Sequence, residues 1–576
     1  MLADVARGVL AIGALLLPAF VILGPFGRLF GALNTRVACA LVCGIVGGMT
    51  LPVRRVHRLA RACLGVLVAV GLVGLANPLR VFVGYPFSLT WSEGNHIWAS
   101  SLYFGRVRYD VPGRWAIPGY ATSGLYALEG LPFLLPHVGI QWIRLWNETL
   151  LVVPPLCLAL LAFSSPRLHD RPTRRYFLVA WGFLFLLQPQ GYAPLILSAI
   201  ILFAAYARNR LRTLALLSAL STFYLGISRW FWMAGPPIWA LTFLLFDRDE
   251  GPTAQASRSF LTRALTVIVA SGLGFAAAVA WAAMVEHRSL FLYMTTLRHP
   301  MLWSRLLPNA TSPYGILPWA LVAVAPIGLL LLWLCWKAFA GGGLWRVGAL
   351  GLFVAVFLIM GLVASVKMGG GDNLHNLDLL FVYLVILAAL VAQSPAADEV
   401  TRTRAWPPAI YPLVAAALVL PMLHVLMIAG PLQVPPREVA SDSLQRIANE
   451  VQQATSRGPV LFIDQRQLLT FGFIRRVPLV MEHELVDLMD RAIAGDQSGL
   501  QQFYAELETQ RYSLIVSDPL PVVWRGSVYP FGEENDVWVE RVTLPILQWY
   551  EPVEALDAVG VWLLRPRQVS TGGSAP

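Results

Sequence analysis

The chain has 576 residues, 57% of them hydrophobic and only 13% charged, with a mean hydropathy of +0.62. A water-soluble protein carries about a quarter charged residues, so an ordinary soluble enzyme is excluded. The net charge of +10 is almost wholly arginine, with Lys only at 337 and 367; these arginines cluster in short loops between apolar runs, which reads as membrane orientation and not as a nucleic-acid surface.

The first apolar run, about Val9 to Pro25, has no convincing small-residue cleavage site and is quickly followed by others, so it is expected to persist as a helix. The length needed to cross a bilayer divides the chain up to residue 430 into about thirteen spans. They are 8–25, 37–53, 59–77, 142–164, 176–189, 191–207, 213–228, 236–247, 264–285, 314–336, 347–366, 376–393 and 408–430. Pro189, Pro236 and Pro237 predict kinked or broken helices among the short middle ones. The arginine-rich stretches "RRVHRLAR" (54–61), "RLHDRPTRR" (167–175), "RNRLR" (208–212), 247–263, 337–346 and 402–404 are assigned to the cytoplasmic side. The N-terminus is then cytoplasmic, while 78–141, 286–313, 367–375 and everything beyond 430 lie outside. "ATSGLYALEGLPFLLPH" (121–137) is read as a loop element at the membrane surface. Cys39, Cys43, Cys63, Cys157 and Cys335 all lie in or beside apolar runs and indicate no disulfide framework or zinc site.

The first long outer loop opens with "PFSLTWSEGNHIWASSLYFG" (86–105), in which Glu93 stands between Trp91 and Trp98. Thr90 to Glu93 fits a T-x-x-E capping box. The same carboxylate could take the proton of an attacking hydroxyl, and the residues leave both readings open. Arg106, Arg108 and Arg114 follow among Tyr103, Phe104, Tyr109 and Trp115, as expected of an interfacial segment that meets anionic phosphate. Farther along, Arg298, His299 and Arg305 lie in a second aromatic outer loop suited to a lipid carrier or to surface anchoring. In "VKMGGGDNLHNLDLL" (366–380), three glycines permit close backbone approach to a ligand. Lys367, Asp372, Asn373, His375, Asn376 and Asp378 around them suggest a sugar or phosphate pocket at the entrance to the next span. No spacing demands a metal.

The run "WSEG…ASSLYFGRVRY", the long outer loop with an acidic residue near its start, the many spans and the outer C-terminal domain resemble the GT-C superfamily, which includes the protein mannosyltransferases and the lipid A aminoarabinose transferases. The resemblance implies a polyprenyl-phosphate sugar donor and a lipid, glycan or protein acceptor, with Glu93 as base or metal ligand. Ser92 stands where many members carry a second acid. The loop follows the third expected span and not the first, which implies two added N-terminal helices.

After "AGPLQVPPREV" (429–439) the composition becomes ordinary. Helices are expected over "SLQRIANEVQQAT", "EHELVDLMDRAIAG" and "LQQFYAELETQ", and strands over 459–464, 512–518 and 560–566. This alternation predicts a small α/β domain. It contains no phosphate-binding glycine motif, and Asp464 and Asp518 end two of its strands.

The expected architecture is a polytopic α-helical membrane protein. A GT-C-like bundle with its outer loop 78–141 fills 1–430, an extracytoplasmic α/β domain fills 431–567, and 568–576 form a disordered tail. The expected activity is a membrane glycosyltransferase in a bacterial plasma membrane, among membrane lipids and without nucleic acid. No cofactor is called for, and a divalent metal ion is left open. The competing readings are a transporter or flippase of lipid-linked sugars, and a catalytically inactive GT-C-like scaffold.

Overall fold

The structure, a computed structural model, describes residues 2–51, 57–165, 168, 172–208, 210–247, 254–286, 299–339, 343–394, 408 and 410–568. The chain is an integral, multi-pass helical membrane protein with a small C-terminal sheet. A helix lies in each segment expected to cross, and nine helices among the described residues are long and apolar enough to span a bilayer.

Helices α1 (Leu2–Leu23), α2 (Leu33–Thr50) and α3 (Arg58–Ala76) pack together at the start of the chain. Small residues permit this: a methyl group on Gly65 would lie 2.1 Å from the Gly44 carbonyl oxygen, and one on Gly48 would lie 2.1 Å from that of Arg61. Such contact between backbones is how helices associate where lipid removes the hydrophobic driving force. After α4 (Glu93–Phe104) and α5 (Ser123–Gly130) of the outer loop comes α6 (Ile140–Ala162). The next four are short: α7 (Pro172–Leu187), α8 (Ala193–Tyr206), α9 (Leu211–Gly226) and α10 (Gly235–Phe246) have 16, 14, 16 and 12 residues. At about 1.5 Å per residue the longest reaches roughly 24 Å, less than a hydrocarbon core of about 30 Å. Among the described residues nine helices therefore reach the length of a full crossing, and these four fall short of it.

Helices α11 (Ala254–Met284), α12 (Ile316–Phe339), α13 (Leu344–Val366), α14 (Asp378–Ala392) and α15 (Ile410–Ile428) complete the bundle. Helix α14 is its axis, buried from Asp378 to Val391. Its sequence is apolar on every face, the pattern of a helix enclosed by others. Helices α1, α2 and α11 instead expose large apolar side chains such as Val9, Phe20, Val42, Leu261 and Leu273.

Beyond the bundle lies a four-stranded sheet of β1 (Val460–Phe462), β2 (Leu514–Ser517), β3 (Tyr550–Leu556) and β4 (Val561–Pro566), in the order β1-β2-β4-β3. The β1–β2 pair is parallel and the other two pairs are antiparallel. Helix α16 (Arg437–Thr455) precedes the sheet, and α17 (Gln467–Thr470), α18 (Leu485–Ala494) and α19 (Gln497–Glu508) connect β1 to β2. The three expected strands and three expected helices all occur. Helices α20 (Gly532–Trp538) and α21 (Leu544–Trp549), joined by a π-helical turn over Val539–Thr543, and strand β3 are additional.

The outer loop belongs physically with this sheet. Phe87, Trp98, Ala99, Leu102, Ala121 and Tyr126 share one apolar core with Ile447, Phe462, Val516 and Leu563. Arg466 lies 4.2 Å from the ring centre of Trp98. The tail is thus not a free-standing module, because the loop fills part of its interior. Residues 569–576, the bulk of the expected disordered tail, lie outside the described residues.

Candidate functional site

Glu93 is the first residue of α4, and Ser92 before it adopts a left-handed conformation (φ 60°). Its carboxylate is gripped on both sides. Arg144 on α6 donates from Nε to Oε1 at 2.8 Å and from Nη2 to Oε2 at 3.1 Å, and the Leu89 N–H donates to Oε2 at 2.6 Å. The buried Arg144 also donates to the carbonyls of Val83, Tyr85 and Phe87 at 2.7–3.1 Å. A two-pronged arginine–carboxylate pair is both strong and orienting. The capping box does not form: the helix begins at Glu93 itself, Ser92 is its N-cap and makes no side-chain cap bond, and the carboxylate instead fastens Leu89 and the loop to α6. Three donors, two of them from one guanidinium, hold the Glu93 oxygens, so this carboxylate is committed to the clamp.

The arginines expected at phosphate go to separate places. Arg106 is exposed, bonds the Leu102 carbonyl at 2.8 Å and covers the Trp115 ring at 5.1 Å. Arg108 reaches the carbonyls of Thr470 and Pro136. It also lines a cavity of about 380 Å³ with His137, Gln141 and Phe471. Arg114 edges a different cleft, beside Glu482 and Arg511 of the tail. Arg305 is buried and locked to the tail, donating to Glu534 at 2.8 and 2.6 Å and to Glu533 at 3.0 Å. Its charge is already neutralised within the protein, so it acts as a bolt. Arg298 lies outside the described residues.

The glycine-rich turn is held from three directions. Leu302 N–H donates to the Val366 carbonyl at 2.7 Å and Met368 N–H to that of Pro300 at 2.8 Å. From the tail, Glu534 accepts from Gly369 N–H at 2.8 Å. Gly369 and Gly371 have φ of 78° and 81°, a region that other residues enter only with strain. The buried Asn376 ties the turn to the bundle, donating to the Gly370 carbonyl and accepting from Arg229 Nη2, both at 2.8 Å. Asn373 bonds the backbone N–H and the ring of His375. Asp378, wholly buried, accepts from Trp232 Nε1 at 3.2 Å and from the Leu379 N–H, while its Oδ2 has no partner among the described residues. Lys367 is partly exposed; burial holds its ammonium below the usual lysine range, opposed by Asp490. Asp372 stands exposed at the rim.

Arg229, which the sequence reading overlooked, is the centre of this region. Its guanidinium carbon lies 4.5 Å from the ring centre of Phe231, 5.6 Å from that of Trp232 and 5.7 Å from that of Tyr192. Its Nη1 is buried and has no hydrogen-bond partner among the described residues. Lys367, His375 and Asp378 all feel its charge. The available signal was an arginine on the outer side of a span, flanked by aromatics, far from the cytoplasmic arginine clusters.

On the loop side of the same region stand Glu129 of α5 and His96 of α4. Glu129 accepts from Ser100 Oγ at 3.2 Å, and burial pushes its carboxyl up to about 7. His96 Nδ1 meets Tyr126 OH at 2.9 Å with the rings stacked, and burial lowers its imidazole to about 4, leaving it neutral at physiological pH. Tyr192 lies between Glu129 and Arg229 and feels both. The tail closes the roof: Asn95 donates to the Ile463 carbonyl and to Glu484, both at 2.9 Å. Burial raises Glu484 to about 7 despite Arg466 nearby. Asp464 is buried and held well above the carboxylate range, first by burial and then by Asp518, and Gln465 bridges the two.

The structure thus joins the outer loop to the glycine-rich turn through Ser100, Glu129, Tyr192, Arg229 and Asn376. Groups of three or more His, Cys, Asp or Glu side chains suited to a metal do not occur among the described residues. Comparison with known proteins adds no relative: no protein-family model matches the chain, and neither does any curated protein.

Proposed function

We propose that the chain is a membrane glycosyltransferase of GT-C type, moving a sugar from a polyprenyl-phosphate donor to an acceptor on the extracytoplasmic side of a bacterial plasma membrane. The observation that carries this reading is the Arg229 site. A partly buried guanidinium with an N–H unused among the described residues, aromatic faces on three sides and a close-approach glycine turn suit a phosphate whose charge grows as the sugar leaves. Lys367 stands near enough to Arg229 to share that charge. On this reading the N-terminus is cytoplasmic, the loop and tail are outside, and the four short helices also cross, locally thinned or kinked, to give thirteen passes.

The acceptor is a hydroxyl on a lipid, a glycan or a protein. Purified full-length protein in phospholipid vesicles should release polyprenyl phosphate from an undecaprenyl-phosphate hexose. Arg229→Ala should weaken binding of undecaprenyl phosphate by about tenfold or more, since a charge-assisted hydrogen bond is worth about 1.5–3 kcal/mol, and should leave binding of neutral undecaprenol unchanged. Wild-type protein that neither binds undecaprenyl phosphate nor turns over its hexosides would refute the reading.

A further inference from the structure

We infer that Glu129, and not Glu93, is the general base that activates the acceptor hydroxyl, an assignment resting on the glycosyltransferase reading above. Glu93 has both oxygens engaged by Arg144 and the Leu89 N–H. Glu484 is buried with its oxygens taken by Asn95 and the N–H groups of Val486 and Asp487. Asp378 is fully enclosed, so a substrate hydroxyl has no path to its free oxygen. Asp490 is raised by burial but faces the Lys367 ammonium, which opposes that rise and holds the carboxylate as its partner. Glu129 is the exception among these carboxylates. Among the described residues its single hydrogen bond comes from Ser100 to Oε2, and the side chain is only partly buried, which leaves Oε1 open to a hydroxyl.

Its surroundings are also those a base needs. The neighbouring groups are Ser100 and the neutral His96 of α4, Tyr126 on its own helix, and Tyr192 of the bundle, with Glu484 facing Tyr126 from the tail. Among the described residues no arginine or lysine pairs with Glu129, and burial brings its proton affinity near neutrality, where a base is most effective. Tyr192 feels Glu129 and lies against Arg229 and Trp232, so it links the proton acceptor to the phosphate side.

The acceptor O–H gives its proton to Glu129 as its oxygen bonds the anomeric carbon. The carbon–oxygen bond to the donor phosphate breaks, and its electron pair leaves on polyprenyl phosphate beside Arg229. Glu129 then returns the proton to water.

The test uses full-length protein in vesicles and release of polyprenyl phosphate from undecaprenyl-phosphate hexoses, followed from pH 5.5 to 9. Wild-type kcat should rise with pH through about 7 and level off. Glu129→Gln keeps the Ser100 contact and should lower kcat by about a hundredfold or more with KM little changed, abolishing the limb near pH 7. Glu129→Asp should restore that limb at reduced rate. Glu93→Gln, compared per folded molecule, should retain it. If the wild type is active and Glu129→Gln keeps both rate and limb, Glu129 is not the base and the transferase reading survives. If Glu93→Gln alone removes the limb, Glu93 is the base. If the wild type turns over none of these donors, the transferase reading falls and the assignment falls with it.

Discussion

Arg144→Ala should open the outer loop while leaving the bundle folded. Arg144 donates five hydrogen bonds, two to Glu93 and one each to the carbonyls of Val83, Tyr85 and Phe87. Truncation abandons the Glu93 carboxylate, only 17% exposed, together with those carbonyls. Breaking one side of a buried ion pair costs about 3–5 kcal/mol. The cost falls on the segment 83–93 and so appears as local opening. At about 1.4 kcal/mol per decade, hydrogen exchange in that segment should accelerate by about a hundredfold or more, whereas α14 should exchange as before. Glu93→Gln should do less, about 1–3 kcal/mol, since Gln keeps one acceptor and turns only one N–H against the guanidinium. Replacing both residues, Glu93→Leu with Arg144→Met, should recover much of the loss. Exchange in 83–93 that is unchanged in Arg144→Ala would refute the clamp.

Arg305→Ala should detach the segment around α20 from the bundle, read as new protease sensitivity near 525–535, because it strands Glu533 and Glu534; protection equal to wild type would count against the bolt. In a cysteine-free background, Gln501→Cys should label from outside and Arg212→Cys should not, and the reverse pattern would invert the proposed topology. The carboxyl of Glu484 is raised in the fold, so its contribution to stability is present below its unfolded value of about 4.3 and is lost as pH climbs towards 7. The difference in exchange protection of α18 between Glu484→Gln and wild type should therefore grow in favour of the variant from pH 4.5 to 7.5, and a flat difference would oppose the burial argument.

Composition alone revealed the bundle, because apolar length is a direct consequence of bilayer thickness. Its weak point was the middle, where helices of 12 to 16 residues carry the same hydropathy as longer ones. In the tail, β1, β2 and β4 were legible as apolar runs between turns. Strand β3 was not: "YEPVEAL" carries a proline and two glutamates, which suit the edge position it occupies. The candidate site divides along similar lines. The glycine-rich turn was legible from its own residues, whereas Arg144, Arg229 and Glu129 were not. Each is a single charged residue beside or within apolar sequence, and its meaning depends on a partner in another element. Glu129 in particular lies in the segment read as a plain surface loop.

The core shared by the outer loop and the tail sets a schedule for biosynthesis. Asn95 and its partner Ile463 are 368 residues apart. At about 5–20 residues per second, roughly twenty seconds to a little over a minute separate their emergence from the ribosome. During that interval Phe87, Trp98 and Leu102 have no tail to cover them. A chain halted before residue 440 would leave a sticky aromatic face at the membrane surface, a natural mark for quality-control proteases to distinguish unfinished copies from finished ones.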